Sequence, residues 1–408
     1  MAIAVRTGEE TRQIQMACLD ELVPADDLLR RVEGLVSWHA VRESARPYYV
    51  DFGRPGVDPV VLIKLFLVAA LRGLPSMREC LRVAADSLSI RRFLGYGLTE
   101  PLPHHATLSY AQCVRFAGSP VFEQLFTQVL AGCREAGLLD GERLVVDATH
   151  VEAAAALRSL RAELELAAEG EVSGGAETED GPPAAPELHL APPRRGPTPR
   201  RRASNATAVS RTDPDAKLRH KPGHRPHLVH RAQVATDPQA RCVVAVLAEP
   251  ATGHEGDALP ELVRRARWAG HRVGELAADQ GYASQATYQD LDRRGVTAFI
   301  PPQPHMLGHA EGQGALTRCK SPPGVGAAAD RQAHAEGAIA ELKLCHALAR
   351  ARCRGTPKLQ VQLLLGGTAI NLKRLISHGE AAAGAAAGGE EANLASRPST
   401  WLYELCLN

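Results

Sequence analysis

Three acidic residues stand where side chains from separate elements can meet. Asp147 follows the apolar run "LVV" at 144–146, Asp279 follows "ELAA" at 275–278, and Glu336 lies inside a late helical pattern. If the two apolar runs are neighbouring strands of one sheet, the aspartates lie side by side, and the helix can bring Glu336 onto them. Carboxylates about 4 Å apart repel one another by roughly 1–4 kcal/mol. Such a cluster needs a cation.

Divalent cations with oxygen ligands meet this need. Mg²⁺ binds one or two protein carboxylates together with substrate phosphate. Two such ions can hold the attacking and leaving oxygens of a phosphoryl transfer. We therefore interpret Asp147, Asp279 and Glu336 as a candidate catalytic and metal-binding set for two Mg²⁺ ions, for which Mn²⁺ can substitute.

Each acid also has an ordinary structural explanation. Asp147 is compatible with a turn that leads into a helix capped by Thr149, with Glu152 completing a capping box. Asp279 begins the turn sequence Asp-x-Gly, and Glu336 fits a solvated helix surface. Singly, each explanation is about as good as the metal site. The three positions together favour the site.

Basic residues follow Glu336 along the chain. Lys343 is seven residues later, about two helical turns, and so lies on nearly the same helix face. Arg350 and Arg354 continue the series in a helix predicted over 331–355, with no acid between 342 and 358. Such a series suits a DNA backbone lying over the site. The basic C-terminal end of an ordinary surface helix explains it equally well.

The first third of the chain is predicted to be helical throughout. Apolar patterns over 58–74 and 76–95 are joined by the turn "GLPS", and a third helix is predicted over 119–139. The first two resemble a helix-turn-helix reader of DNA. A packing hairpin is the favoured interpretation for a lone pair of helices.

From residue 143 the patterns alternate between strands and helices. Two strands form a hairpin around "TDPQAR", and later strands end near Asp279 and near 302. This order predicts an α/β (α+β) fold, a mixed sheet flanked by helices after an all-helical domain. We predict a helical domain over 1–140 and a catalytic domain over 141–376. Pro-, Gly- and charge-rich composition predicts a disordered linker or insertion at 168–226 and a low-complexity tail at 377–408.

Composition excludes several classes of protein. The net charge of +1 gives no overall sign of a nucleic-acid partner, and the nine cysteines contain no CxxC pair that would indicate a zinc site. The longest apolar stretch, 60–71, is too short to span a bilayer and contains Lys64. We therefore expect a soluble cytoplasmic protein with no membrane partner.

Four segments of the sequence resemble bacterial insertion-sequence transposases of the DDE type. The stretch beginning "GRPGVDPVVLIKLFLVAALRGL" resembles their helical N-terminal region. "VVDATHVEA", "AADQGYASQATYQDLDRRGVTAFIPP" and "AHAEGAIAELKLCHALARARCRG" resemble their three catalytic segments in the same order. The resemblance implies a ribonuclease H-like core, Mg²⁺ dependence, and metal-dependent cleavage and strand transfer at the ends of the element.

The resemblance also assigns roles to individual residues. Asp147, Asp279 and Glu336 match the metal-binding triad, and Lys343 matches the lysine that contacts DNA near the cleaved phosphate. Ala329 stands where related enzymes often have tyrosine, and Arg331 lies one place away from their arginine. We assign DNA binding to Lys343, Arg350, Arg354 and Arg331.

The implied partners are double-stranded DNA, as terminal inverted repeats and as target, and further copies of this chain in a homo-oligomer associated with the nucleoid. A catalytically inactive DNA-binding descendant is the main alternative function. A metal-dependent nuclease without strand transfer is the second.

Overall fold

The computed structural model describes residues 18–50, 56–162, 205, 208–220 and 225–386. The N-terminal part is helical, as predicted. Its helices are α1 Leu19–Leu22, α2 Leu28–Leu35, α3 Trp38–Ala45, α4 Pro59–Leu71, α5 Met77–Asp86, α6 Leu88–Leu94, α7 His105–Tyr110 and α8 Val121–Glu135. The later helices are α9 Leu259–Trp268, α10 Gln285–Arg293, α11 Ala310–Lys320, α12 Pro322–Asp330, α13 Gly337–Cys345 and α14 Thr356–Ala386.

Helix α4 lies inside the protein. Asp58 caps its N-terminus by accepting a hydrogen bond from the Val60 amide (2.8 Å), and Pro59 occupies the first turn, where no amide hydrogen is needed. From Leu62 to Leu71 every side chain is buried. A helix enclosed in this way packs against its neighbours on all sides, and the choice between a packing hairpin and a helix-turn-helix depends on the helix that follows it. The single helix predicted over 76–95 is in fact two, α5 and α6, because Ser87 caps a new start at α6.

The strands form one mixed sheet and a separate two-stranded ribbon. The strands are β1 Arg143–Glu152, β2 Leu160–Ala162, β3 Ala208–Ser210, β4 Lys217–Arg219, β5 His227–Asp237, β6 Cys242–Pro250, β7 Glu275–Ala277 and β8 Thr297–Phe299. β1 lies between an antiparallel β5 and a parallel β7, and β8 extends the sheet beyond β7. On the far side of β5, β4 pairs with one end and β6 with the other. The mixed sheet flanked by helices, following a helical region, confirms the predicted α/β (α+β) fold class.

Helix α14 joins the helical region to the sheet. Its Asn371 side chain accepts from the Val243 amide and donates to the Val243 carbonyl on β6, both at 2.8 Å. The same helix packs against α8 and α4, so one apolar core runs from the N-terminal helices into the sheet. The predicted domain boundaries at 140 and 376 remain predictions, and this core continues across the first of them.

Several predicted elements differ from the observed ones. β1 does not end at Asp147 but continues to Glu152, because residues 145–152 pair along β5. The α-helix predicted to start at Thr149 is absent over 149–162, where Leu157–Ser159 forms only a 3₁₀ turn. Thr149 and Val151 are β-branched, buried and in the sheet. Helix α14 extends to Ala386, ten residues into the predicted tail, where alanine-rich sequence favours helix.

The predicted linker at 168–226 is only partly described, and two of its described segments are strands. β3 pairs with β2, and β4 pairs with β5 at the edge of the main sheet. Asp213 anchors the chain between them: its buried carboxylate lies 3.0 Å from His230 Nε2 and accepts from the Gly355 amide at 3.2 Å. Disorder is therefore the wrong description for 208–220. Apart from Asn205, the rest of 163–224 lies outside the described residues, as does the tail beyond 386.

The helix predicted over 331–355 is interrupted twice. Residues Arg331–Glu336 form a π-helical turn, α13 follows, and the chain leaves the helix at His346. Ala347 has a φ of 55°, in the left-handed region that ends helices. Arg350 and Arg354 consequently lie in a loop rather than on one face with Lys343. Within the described residues, no helix is long and apolar enough to cross a membrane.

Gly73 gives a test of how closely the helical region approaches α13. It has a φ of 60°, and a Cβ there would lie 2.6 Å from the Cys345 carbonyl oxygen. Gly95 has a φ of 76° but nothing within 4 Å of its Cβ position. We expect Gly95→Ala to cost about 1–2 kcal/mol through backbone strain alone, and Gly73→Ala to cost about 1–3 kcal/mol more through the overlap. Thermal unfolding of both variants measures the difference; equal losses would mean that the approach is not tight.

Candidate active site

Asp147 sits in the middle of β1, on the most rigid part of the sheet. Its strand is held on both sides, by β5 at Val234 and by β7 two residues earlier. The preceding apolar residues, Leu144 to Val146, are buried. The Asp147 side chain is 17% exposed, and its Oδ1 accepts a hydrogen bond from the Ala148 amide at 2.8 Å.

Asp279 stands beside Asp147 because of the strand register. Val145 of β1 is paired with Ala277 of β7, and each aspartate follows its paired residue by two positions. Because the strands are parallel, the equal offset places the two aspartates at the same edge. Asp279 also accepts from the Gly281 amide at 2.9 Å and so caps a short 3₁₀ turn. The turn explanation for Asp279 therefore holds, and it leaves the second carboxylate oxygen without a role in the cap.

Glu336 is linked to Asp147 through an arginine. Arg331 Nη1 lies 3.5 Å from Asp147 Oδ2 and 3.4 Å from Glu336 Oε1. The two residues are five positions apart in the π-helical turn, where position i is bonded to i+5 and the two stack. The additional residue in the π-helical turn therefore compensates for the one-residue displacement of Arg331 from the arginine of related enzymes. Arg331, which we assigned to DNA binding, contacts two of the three acids instead.

The negative charges of Asp279 and Glu336 act on the pKa of the Asp147 carboxyl. Burial raises the pKa of this carboxyl to about 6, and the negative charges of Asp279 and Glu336 raise it as well. The Ala148 amide and the Arg331 guanidinium oppose the shift. The acids thus lie near enough to repel one another, which is the condition under which carboxylates recruit a cation.

This shift predicts how stability depends on pH. The folded-state pKa of Asp147 is above the usual value of 3.8, so the folded protein loses stability as pH rises from about 4 to about 6, and no further loss follows above that range. We expect Asp147→Asn to raise the melting temperature at pH 7 by a few degrees. The gain should shrink towards zero near pH 4. Melting curves without divalent ions measure it; a lower melting temperature at pH 7 would contradict the prediction.

The donor atoms fit a divalent cation in type. All three side chains offer carboxylate oxygens, the ligands that Mg²⁺ prefers. Their spacing is more open: within the described residues, no three acidic, histidine or cysteine side chains are gathered closely enough to hold a metal ion. Arg331 lies between Asp147 and Glu336. The aspartates thus share one edge of the sheet and the Arg331 guanidinium lies between Asp147 and Glu336, an arrangement that does not gather the three carboxylates around one ion.

A second polar network, which the sequence did not indicate, joins the turn after Asp279 to β5 and β6. Tyr282 is fully buried and donates to Gln233, whose amide donates to Glu249 Oε1 at 2.9 Å. Burial raises the pKa of Glu255, and nearby Asp279 raises it further. The β5–β6 pairing brings Gln233 and Glu249 together, and Tyr282 reaches them from the turn after Asp279. No spacing along the chain signals them.

The predicted DNA-binding residues separate into different environments. Lys343 on α13 is half-buried, and burial and the charge of Arg219 lower its pKa. Burial likewise lowers the pKa of His150 on β1 to about 4, and Arg219 and Lys343 contribute to the shift. We call His150, Arg219 and Lys343 the basic cluster. Arg219 comes from β4, within the segment predicted as a linker, and the sequence did not indicate it.

Arg350 and Arg354 lie on the loop after α13. The Arg350 side chain is 65% exposed, with its Nε 3.9 Å from Glu152. Arg354 is exposed and donates to the Ala154 carbonyl at 3.3 Å. Both are accessible to a partner, but from the loop rather than from the helix that carries Lys343.

Comparisons with known proteins decide the family. The family model for a transposase domain (DUF772) matches residues 17–112, and the model for a transposase DDE domain matches residues 138–372, more than half of the chain. The chain belongs to the DDE transposase family. No curated protein is similar enough to this transposase to count as a match.

Two solved structures resemble this transposase. One is the piggyBac transposase in a synaptic complex with hairpin DNA, at 9% identity and a TM-score of 0.37, covering 94% of this chain and 84% of that one. The other is a pre-cleavage Mos1 transpososome, at 10% identity and a TM-score of 0.19, covering 87% of this chain and 98% of that one.

Proposed function

We propose that this transposase cleaves DNA at the ends of an insertion sequence and joins the freed ends to target DNA. Asp147, Asp279 and Glu336 form its catalytic and metal-binding set. The observation that carries the proposal is the parallel register of β1 and β7, which brings Asp147 and Asp279 to the same edge of the sheet. Arg331 links Glu336 to Asp147 there.

Divalent metal ions, two Mg²⁺ or Mn²⁺ in their place, would supply activation of the attacking oxygen and neutralisation of charge on the phosphate. The protein's own part is to bind and orient. The Asp147 and Asp279 carboxylates stay fixed because they are carried by the sheet and the turn that follows it. The acids serve as ligands and not as proton carriers, so their ionised form is the working form.

The basic cluster, to which β1 contributes His150, fits the role of holding the DNA backbone. His150 follows Asp147 by three residues, and the charges of Arg219 and Lys343 both act on it. His150, with a pKa of about 4, is neutral near pH 7, so the positive charge comes from Arg219 and Lys343. Two cations that repel one another in a half-buried position gain from an anionic partner. Phosphate contacts of this kind fix the position of the duplex without reading its sequence. Arg350 and Arg354, on the exposed loop, extend the contact.

The test uses DNA that flanks the gene. If short terminal inverted repeats are found there, a labelled fragment containing one end is incubated with the full-length protein, target plasmid and Mg²⁺ or Mn²⁺. Cleaved ends and joined product support the proposal. Cleavage without joined product indicates a nuclease, and a mobility shift without any product in either metal indicates a DNA-binding descendant.

Two further properties belong to the same proposal. We propose that the protein acts as a homo-oligomer on paired DNA ends, because both ends must be held together for joining. We also propose that it works in the cytoplasm in association with the nucleoid, where its DNA lies.

A further inference from the structure

Arg331 is placed between two acids by a local change in helix geometry. An α-helix brings residues three and four apart onto one face. Arg331 and Glu336 are five apart, and in an α-helix they would diverge around the axis. The π-helical turn over Arg331–Glu336 accommodates the additional residue, so the guanidinium stands over the glutamate. Single π-turns within helices occur frequently at functional sites.

Arg331 makes two contacts of nearly equal length, and both are long for an ion pair with a hydrogen bond. Its Nη1 is 3.5 Å from Asp147 Oδ2 and 3.4 Å from Glu336 Oε1, longer than the 2.7–2.9 Å of a charge-assisted hydrogen bond. The Arg331 side chain is 22% exposed to solvent. One positive group therefore neutralises two carboxylates from different elements without being locked to either, and it has a path towards solvent.

The position matters because it is where a cation shared by Asp147 and Glu336 must be. A guanidinium within about 4 Å of both carboxylates repels a second cation there. The two cannot share the gap, so one must leave when the other enters.

We propose that Arg331 is an internal counter-cation: it occupies the gap between Asp147 and Glu336 when no metal is bound, and it moves out when a divalent ion enters. This rests on the metal-binding role proposed for the three acids. It makes the affinity for metal the result of a competition within the protein, and it holds the acids together in the metal-free protein.

The test is direct Mn²⁺ binding, followed by the electron paramagnetic resonance signal of free Mn²⁺ during titration of the full-length protein without DNA. Removing the competing charge with Arg331→Gln is expected to tighten Mn²⁺ binding about tenfold or more. Arg331→Lys keeps the charge and is expected to stay within about threefold of the original protein.

Arg143→Gln is the matched control. Arg143 is at the start of β1 and is paired with Asp140 and Asp330, so its loss removes the same charge nearby without opening the gap. It is expected to leave Mn²⁺ affinity nearly unchanged. Adding Asp147→Asn to Arg331→Gln should remove the gain, which assigns the ion to this site.

Unchanged or weaker Mn²⁺ binding by Arg331→Gln overturns the competition, as does an equal gain in Arg143→Gln or no detectable binding in any variant. These outcomes are separate from failure of the proposed function. That failure is the absence of cleaved DNA in the end-cleavage assay, whereas the competition is decided by metal affinity alone.

Discussion

Replacing Asp147 with asparagine is expected to abolish strand cleavage while leaving binding to DNA ends intact. The amide keeps the shape of the side chain but removes a negative ligand at the centre of the proposed metal site. Metal ions contribute several kcal/mol to stabilising charge in the transition state, and this corresponds to a loss of about 1000-fold or more in cleavage rate. Gel assays of end-containing DNA measure cleavage, and mobility shifts measure binding.

Asp290→Asn is the matched control for this variant. Asp290 is on α10, where it forms a surface pair with Arg294 at 2.6 Å, away from the three acids. The same chemical change there should leave cleavage within about twofold, since such pairs contribute little. Cleavage by Asp147→Asn at the original rate would rule out the assigned role of Asp147.

Replacing Glu341 with glutamine is expected to cause the largest loss of stability. Glu341 on α13 is buried, with Arg374 of α14 at 2.5 Å and His346 Nε2 at 3.8 Å. Burial alone would raise the pKa of this carboxyl, yet His346 and Arg374 lower it to about 2. Breaking such a pair leaves a buried charge without its partner and costs about 3–5 kcal/mol. Chemical denaturation measures this change in the free energy of unfolding.

A surface glutamate of the same chemistry provides the comparison. Glu261 on α9 forms ion pairs with Arg264 and Arg265, but its side chain is 33% exposed. Glu261→Gln should cost about 0–1 kcal/mol. The direction in which the stabilisation by Glu341 changes with pH follows from its lowered pKa. The folded-state pKa of Glu341 lies below 4.5, so its contribution is fully present above pH 4.5 and is lost as pH falls towards 2. Equal losses in the two variants would contradict this account.

The strands that carry the aspartates were predictable because their signal is local. The apolar runs before Asp147 and Asp279 are buried, as their composition indicated. They are also paired as neighbours, as the order of the elements allowed. The end of β1 was not predictable, because the residues after Asp147 are held by β5, about eighty residues away along the chain. Local sequence offered a cap at Thr149, and long-range pairing overrode it.

The break after α13 shows the same limit. The sequence from 337 to 354 has good helix formers throughout, so a continuous helix was the natural prediction. In the structure, His346 Nδ1 lies 2.8 Å from the Ala70 carbonyl oxygen and Arg352 donates to the Ala69 carbonyl at 3.1 Å, both at the end of α4. Contacts with a helix nearly three hundred residues earlier decide where this helix ends. The Arg331 contacts depend on a π-turn that the local sequence did not indicate.

The capping of α4 by His346 and Arg352 bears on how such a protein can be re-engineered. Exchanging residues 1–140 for those of a relative, in order to retarget it, would discard the carbonyls that His346 and Arg352 bind and the apolar faces that α14 covers. A chimaera joined at 140 would therefore begin with mismatched surfaces. The exchangeable module is discontinuous: it consists of the N-terminal helices together with the loop after α13 and helix α14, taken from the same parent.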